Sequence, residues 1–353
     1  MFSSKKRGKI VGVDIGTTSI KVIEMSRSGR SLSVDRYGFE PLIPGLIIEH
    51  QIKDVEQVAR AVERAVKRSG SKAKRAAVCV SSNSVISKTI PVQPDLSGEE
   101  LESLVEIEAD RVVPYALDEV NIDFQRVGAS QTSPGEEDVQ IVVCRKNVVE
   151  GLSAVLEEAD LEPAVVDVDS FTLSRVYGLV RQGIVGGGQK RTSGVVDFGS
   201  NTSRLTVFHN NKSIYHREAP FGGRQLVDSI HQKYGMSQED ALSALRKNSL
   251  PKSFKSEVLK PFVKTLVQEL LRTLQFFYSS STHNNIDELL ITGGCAQIGN
   301  VDKIIEKRIE VPTVVMNPFA STRIGSKIDT ERFRREIPSL AIASGLALRG
   351  VES

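Results

Sequence analysis

The chain has no tryptophan, only three cysteines, and a formal net charge of just +2 over 353 residues. Each shortage removes a class of reading. Charge this close to balance gives no electrostatic reason to expect a nucleic-acid partner. Cys79, Cys144 and Cys295 are odd in number, scattered, and free of any CxxC or Cys/His grouping, so neither disulfides nor a zinc site is expected. Cys79 and Cys144 sit instead inside apolar runs, as small buried hydrophobes do. No apolar run approaches the roughly 20 residues that cross a bilayer, and none resembles the apolar region of a signal peptide. The expectation is a chain that stays in the cytoplasm. The basic run Lys5, Lys6 and Arg7 reads either as a touch point for anionic lipid or as a solvated charge run.

What is present is ordinary in bulk, with 40% hydrophobic and 25% charged residues, and the chain is long enough for two domains. The informative stretch is Ile10 to Val22, I-V-G-V-D-I-G-T-T-S-I-K-V. Two apolar runs, Ile10 to Val13 and Ile20 to Met25, flank a turn carrying Asp14, Gly16, Thr17, Thr18 and Ser19. The pattern predicts a β-hairpin whose turn offers small side chains and open backbone N–H groups. Such a concavity suits phosphate oxygens; Asp14 would face a hydrated cation, and Lys21 returns positive charge to the same place. A second copy follows at Val195 to Phe208, V-V-D-F-G-S-N-T-S-R-L-T-V-F. A third signal is Leu289 to Asn300, an apolar strand entering a Gly-Gly turn. Two Asp-x-Gly hairpins and a strand–Gly-Gly, in that order, predict two related lobes closing on one nucleotide.

Between these motifs the pattern predicts an amphipathic helix over Val55 to Arg68 and a strand over Ala76 to Val80. From Ser84 the pattern shifts. A strand to Val92, a helix to Val112 opened by the capping box of Ser97 and Glu100, strands over 121–127 and 139–144, and a helix over 148–159 follow. That run is expected to be an inserted subdomain. Strand 163–168, helix 169–179 and a glycine-rich linker over 183–191 lead to the second lobe. Helices are expected after Phe221-Gly222-Gly223 and over 238–247, 258–277, 298–308 and 338–349.

The three motifs resemble the phosphate 1, phosphate 2 and adenosine motifs of the actin-like ATPase superfamily. Within it the chain most closely resembles the PilM family of type IV pilus assembly, through V-G-V-D-I-G-T-T-S-I-K-V, E-A-D-R-V-V-P-Y-A-L-D-E-V at 108–120 and N-P-F at 317–319. The resemblance implies an α/β, actin-like (ribonuclease H-like) two-lobed nucleotide-binding fold with an FtsA-type inserted subdomain. The first lobe would comprise 1–84, 163–190 and 325–353, the insert 85–162, and the second lobe 191–324, with a subdomain of its own at about 222–284.

Carried over residue by residue, the resemblance implies ATP with Mg2+. Asp14 and Asp197 would hold the metal through waters. Gly16, Thr17, Thr18, Ser19 and Lys21, with Gly199, Ser200 and Asn201, would hold β- and γ-phosphate oxygens. Gly222 and Gly223 would lie beside the nucleotide, and Gly293 and Gly294 would let the backbone pass under ribose and adenine. Glu269 and Arg272 fall where related proteins contact ribose and adenine, or are simply a solvated helix face. Asp169 falls where MreB-like proteins carry a Glu in an E-P-x-A-A stretch, but here in D-S-F-T-L without the proline; the alternative is a helix N-cap. Tight nucleotide binding with slow or no turnover is therefore expected.

The same resemblance implies a scaffold that binds the N-terminal cytoplasmic peptide of the inner-membrane protein PilN, and so meets the membrane only through that partner. Other pilus assembly proteins, or a second copy of the chain, stay open as partners. Two alternatives are a filament-forming FtsA/MreB-like cytoskeletal protein and a small-molecule kinase of the same superfamily. No C-terminal amphipathic membrane helix of the FtsA kind is visible, and the insert offers no aromatic sugar platform.

Overall fold

The protein is described by a computed structural model over residues 9–130, 132–181, 191–283 and 285–351. The basic run at Lys5 to Arg7 and all of the expected linker except Arg191 lie outside these residues.

The two apolar runs around the first turn pair as antiparallel strands β1 (Ile10–Ile15) and β2 (Ser19–Ser28), with Asp14 directly opposite Lys21. β3 (Ser31–Pro41) adds a third antiparallel strand, followed by a short hairpin of β4 (Ile47–Ile48) and β5 (Gln51–Ile52). α1 (Val55–Ser69) begins at Asp54, whose carboxylate accepts the Gln57 N–H at 2.9 Å. Its stripe of Val58, Ala59, Val62 and Ala65 is fully buried against the sheet. β6 (Arg75–Val80) then runs parallel to β1.

β7 (Val85–Val92), α2 (Gly98–Val112), β8 (Val120–Ala129) and β9 (Glu137–Arg145) form a separate unit. Its antiparallel sheet has the order β7-β9-β8 and shares a core with Leu101, Val105 and Ala109 of α2. The capping box is formed: Ser97 and Glu100 each accept the other's backbone N–H. α3 (Lys146–Glu158), expected within the insert over 85–162, packs elsewhere. Leu152, Val155 and Leu156 join the first lobe's core beside α1, because the apolar stripe of α3 faces that helix. β10 (Glu162–Val168) runs parallel to β6, and α4 (Asp169–Val180) follows.

The second lobe repeats the plan of the first. β11 (Thr192–Phe198), β12 (Ser203–His209) and β13 (Lys212–Ala219) are an antiparallel meander with Asp197 opposite Arg204. α5 (Arg224–Tyr234), α6 (Gln238–Lys247) and a π-helical turn at Lys255–Leu259 lead into α7 (Lys260–Ser280). β14 (Glu288–Gly293), α8 (Val301–Ile309) and β15 (Thr313–Val315) complete the lobe. β16 (Arg323–Ile324), α9 (Thr330–Glu336) and α10 (Ala341–Arg349) return to the first. The sheet orders are β10-β6-β1-β2-β3-β16 and β13-β12-β11-β14-β15. In each, an antiparallel three-strand meander continues into parallel strands on the side of its first member.

α5 to α7 share one core with the second sheet, from Val196 and Leu205 through Ile230 to Leu266 and Phe277. Leu173, Val176 and Tyr177 of α4 pack with Val195, Phe208 and Leu290 of that sheet, so α4 joins the lobes. Three helices start later than their patterns predict, α7 among them because the π-helical turn takes Val258 and Leu259. Pro338 is taken into a 3-10 turn at Ile337–Ser339, and a 3-10 turn at Gly294–Gln297 delays α8 to Val301. Turns of this kind consume a few polar or small residues that periodicity alone assigns to the helix.

Candidate functional site

Both Asp-x-Gly turns close with the same hydrogen bond. The Gly16 N–H donates to the Ser19 carbonyl at 3.1 Å, and the Gly199 N–H donates to the Thr202 carbonyl at 3.0 Å. Each turn therefore points its intervening residues, Thr17 and Thr18 or Ser200 and Asn201, out of the strand pair; these four are partly exposed. Each aspartate is the penultimate residue of its strand and faces a basic residue seven positions later. Lys21 Nζ lies 2.8 Å from Asp14 Oδ2, and Arg204 Nη1 lies 3.3 Å from Asp197 Oδ2. Ser19 itself is buried beneath its turn.

The two centres are electrostatically coupled. Burial pushes the Asp197 carboxyl above its ordinary range; Arg204 opposes the shift, while the charge of Asp14 adds to it. Arg204 Nη2 also reaches Asp169 Oδ2 at 3.3 Å, and its Nε lies 3.6 Å from Glu218 Oε1. Burial works against the guanidinium's charge, but Asp169, Asp197 and Glu218 outweigh it and hold it protonated. One cation thus ties α4 of the first lobe to β11 and β13 of the second.

The glycines supply close backbone approach. A Cβ on Gly222 would sit 2.4 Å from the Ser200 carbonyl oxygen, so only glycine lets this segment lie against the second turn. The Gly223 and Arg224 N–H groups donate to the Gly199 and Ser200 carbonyls at 3.0 and 2.8 Å. Gly293 has φ +91° and ψ 178°, and a Cβ there would meet the Phe198 carbonyl at 2.3 Å and Asp197 Oδ1 at 2.6 Å. A Cβ on Gly294 would meet nothing within 4 Å, so that side of the turn is open.

Residues 12–351 match the family described as type IV pilus assembly protein PilM. The chain belongs to that family. Its structure is similar to that of a chain from a PilM-PilN type IV pilus biogenesis complex, with a TM-score of 0.80 and 23% identity over 98% of this chain and 100% of that one. It is also similar to the ethanolamine utilization protein EutJ from Carboxydothermus hydrogenoformans, with a TM-score of 0.54 and 14% identity over 96% of this chain and 88% of that one. The fold is the actin-like one expected from the three motifs.

In the structure of this PilM-family chain Asp169, Glu269 and Arg272 have the following surroundings. Asp169 is the first residue of α4, and Val168 is the N-cap, so the capping alternative does not hold. Both of its oxygens are engaged: Oδ1 accepts the Ser82 N–H at 2.9 Å and the Ser82 hydroxyl, and Oδ2 faces Arg204. Glu269 lines a small cavity with Phe198, Ser203, Phe221 and Thr273, and Arg272 is exposed on α7. No described contact joins either to the Gly293–Gly294 turn.

Sequence reasoning missed Arg204, Glu218 and Arg246. The first was legible, because Asp14 to Lys21 and Asp197 to Arg204 have the same spacing. Arg246 of α6 donates to the Thr18 carbonyl at 2.7 Å and lies 5.4 Å from the Phe39 ring centroid, closing the lobes over the first turn. No local pattern announces a contact across 228 residues.

Among the described residues no three His, Cys, Asp or Glu side chains are grouped to cage a metal ion. Asp14 and Asp197, one from each lobe, fit a hard cation that keeps most of its waters and takes further ligands from phosphate oxygens.

Proposed function

We propose that the chain is an ATP-binding scaffold of the type IV pilus inner-membrane assembly complex, which binds the N-terminal cytoplasmic peptide of PilN. The observation that carries this reading is the family match across 12–351, on a fold in which each lobe carries an Asp-x-Gly turn closed by the same hydrogen bond. The similar chain from the PilM-PilN complex supports PilN as the partner. Among the described residues no helix is long and apolar enough to cross a membrane, so a membrane-bound partner is the route to the bilayer that this reading invokes.

Asp14 and Asp197 would hold Mg2+ through waters. The turn N–H groups and hydroxyls of 16–19 and 199–201, with Lys21, would hold the β- and γ-phosphates. The backbones of Gly222–Gly223 and Gly293–Gly294 would flank ribose and adenine. Bound metal supplies charge neutralisation for the triphosphate. Hydrolysis would need a free group to orient water in line with the γ-phosphate. Asp169, whose Oδ1 is held by the Ser82 N–H and hydroxyl, favours slow turnover or none.

Nucleotide would act by setting the angle between lobes and so biasing the partner-binding conformation. The test is capture of a peptide corresponding to the PilN N-terminus, with and without Mg-ATP. Asp14→Ala and Lys21→Ala are expected to weaken both nucleotide and peptide binding. Peptide affinity unchanged in a variant that no longer binds nucleotide would remove the coupling.

A further inference from the structure

Arg204 is placed to do more than neutralise its neighbours. It follows Asp197 by the same seven residues that separate Lys21 from Asp14, in the same cross-strand register, so it is the second lobe's counterpart of Lys21. Its side chain is only 16% exposed and its three carboxylate partners come from both lobes. Those partners hold it loosely. The separations of 3.3, 3.3 and 3.6 Å exceed the roughly 2.7–2.9 Å of charge-assisted hydrogen bonds. Arg204 Nε and both oxygens of Glu218, whose side chain is 6% exposed, make no hydrogen bond at all. A buried guanidinium held by charge, with donors unspent, is prepared for a better acceptor. A phosphate offers one, because its oxygens match the planar fork of the guanidinium.

We propose that Arg204 is the residue through which the cleft distinguishes a nucleoside triphosphate from a diphosphate. In the structure its guanidinium ties Asp169 to Asp197; with a triphosphate bound it would pass from Asp169 to the terminal phosphate. A diphosphate lacks that acceptor and leaves the tie in place. This rests on the reading of the cleft as an ATP site. It gives the terminal phosphate a basic contact from the second lobe, beside the one that Lys21, paired with Asp14 at 2.8 Å, offers from the first.

The test is equilibrium binding of Mg-ATP and Mg-ADP to the full chain and its variants, each checked for wild-type thermal unfolding. The wild type is expected to prefer ATP by about tenfold, the scale of one hydrogen bond to a charged group. Arg204→Gln is expected to lose that preference with ADP affinity little changed, and Arg204→Lys to restore part of it. Asp169→Asn removes the competing anion and is expected to raise ATP affinity more than ADP affinity. If Arg204 were only a structural tie, Asp169→Asn and Arg204→Gln would shift both nucleotides equally and in the same direction, and the proposal would fall. An ATP preference that persists in Arg204→Gln would also overturn it while leaving the ATP site intact. A wild type that binds neither nucleotide would overturn the ATP reading itself and this proposal with it.

Discussion

Substituting Gly293 by alanine tests the geometry of the second lobe's share of the cleft. Its φ of +91° with ψ of 178° lies in a region open essentially to glycine, and holding another residue there costs about 1–3 kcal/mol. The added methyl would meet the Phe198 carbonyl at 2.3 Å and Asp197 Oδ1 at 2.6 Å. Both are parts of β11, whose register against β14 pairs Phe198 with Gly293, so neither can move without disturbing the central strands. Overpacking of that kind costs a further 1–3 kcal/mol or so. The sum, about 2–6 kcal/mol, corresponds to a fall in melting temperature of roughly 3–8 °C for a chain of this length. Thermal unfolding followed by circular dichroism reads this directly. Gly294→Ala is the paired control: its methyl meets nothing within 4 Å, so stability should stay within about 0.5 kcal/mol of wild type while Mg-ATP binding weakens. Gly293→Ala melting within about 1 °C of wild type would refute the reasoning.

Asp197 gives a prediction in pH. Its carboxyl titrates above its unfolded value of 3.8 because it is buried, so the folded chain keeps a proton that the unfolded chain releases as pH rises through that value. The charged form is therefore penalised at neutral pH, and Asp197→Asn is expected to melt higher than wild type near pH 7 without nucleotide. That advantage should fade as pH falls toward 4, and Mg-ATP binding should be lost throughout; a variant less stable than wild type at pH 7 would contradict the sign. Arg246→Ala removes the bond to Thr18 and the contact with Phe39, which together stabilise lobe closure by about 1–2 kcal/mol. Hydrogen exchange at the Leu42 amide, which donates to the same Thr18 carbonyl, should quicken; unchanged protection would count against a closing role.

Much of this molecule is legible because its signals are local. The turns at 16–18 and 199–201 are announced by Asp-x-Gly between apolar runs, and their closing bonds span three residues. The capping box at Ser97 and Glu100 is a four-residue statement, and α1 follows from apolar spacing alone. The β4–β5 hairpin was not legible, since its turn uses Glu49 and His50 at positive φ in place of the usual asparagine or glycine. The π turn before α7 breaks a 3.6-residue pattern that the sequence continues unbroken.

The sequence alone determined the two matching Asp-x-Gly hairpins, the glycines that accompany them, and the family whose motifs they match. Local hydrogen bonding and side-chain periodicity suffice for the hairpins, because their partners lie within a few residues, whereas the contacts of Gly222 and Gly293 with the second turn span 22 residues or more. Only the tertiary structure decided which lobe owns α3, which arginine reaches across to Thr18, and that Arg204 stands among Asp169, Asp197 and Glu218. Those outcomes depend on the packing of faces that meet only after both lobes have formed. Charge placement in the cleft is thus a property of the lobe interface, not of any one segment.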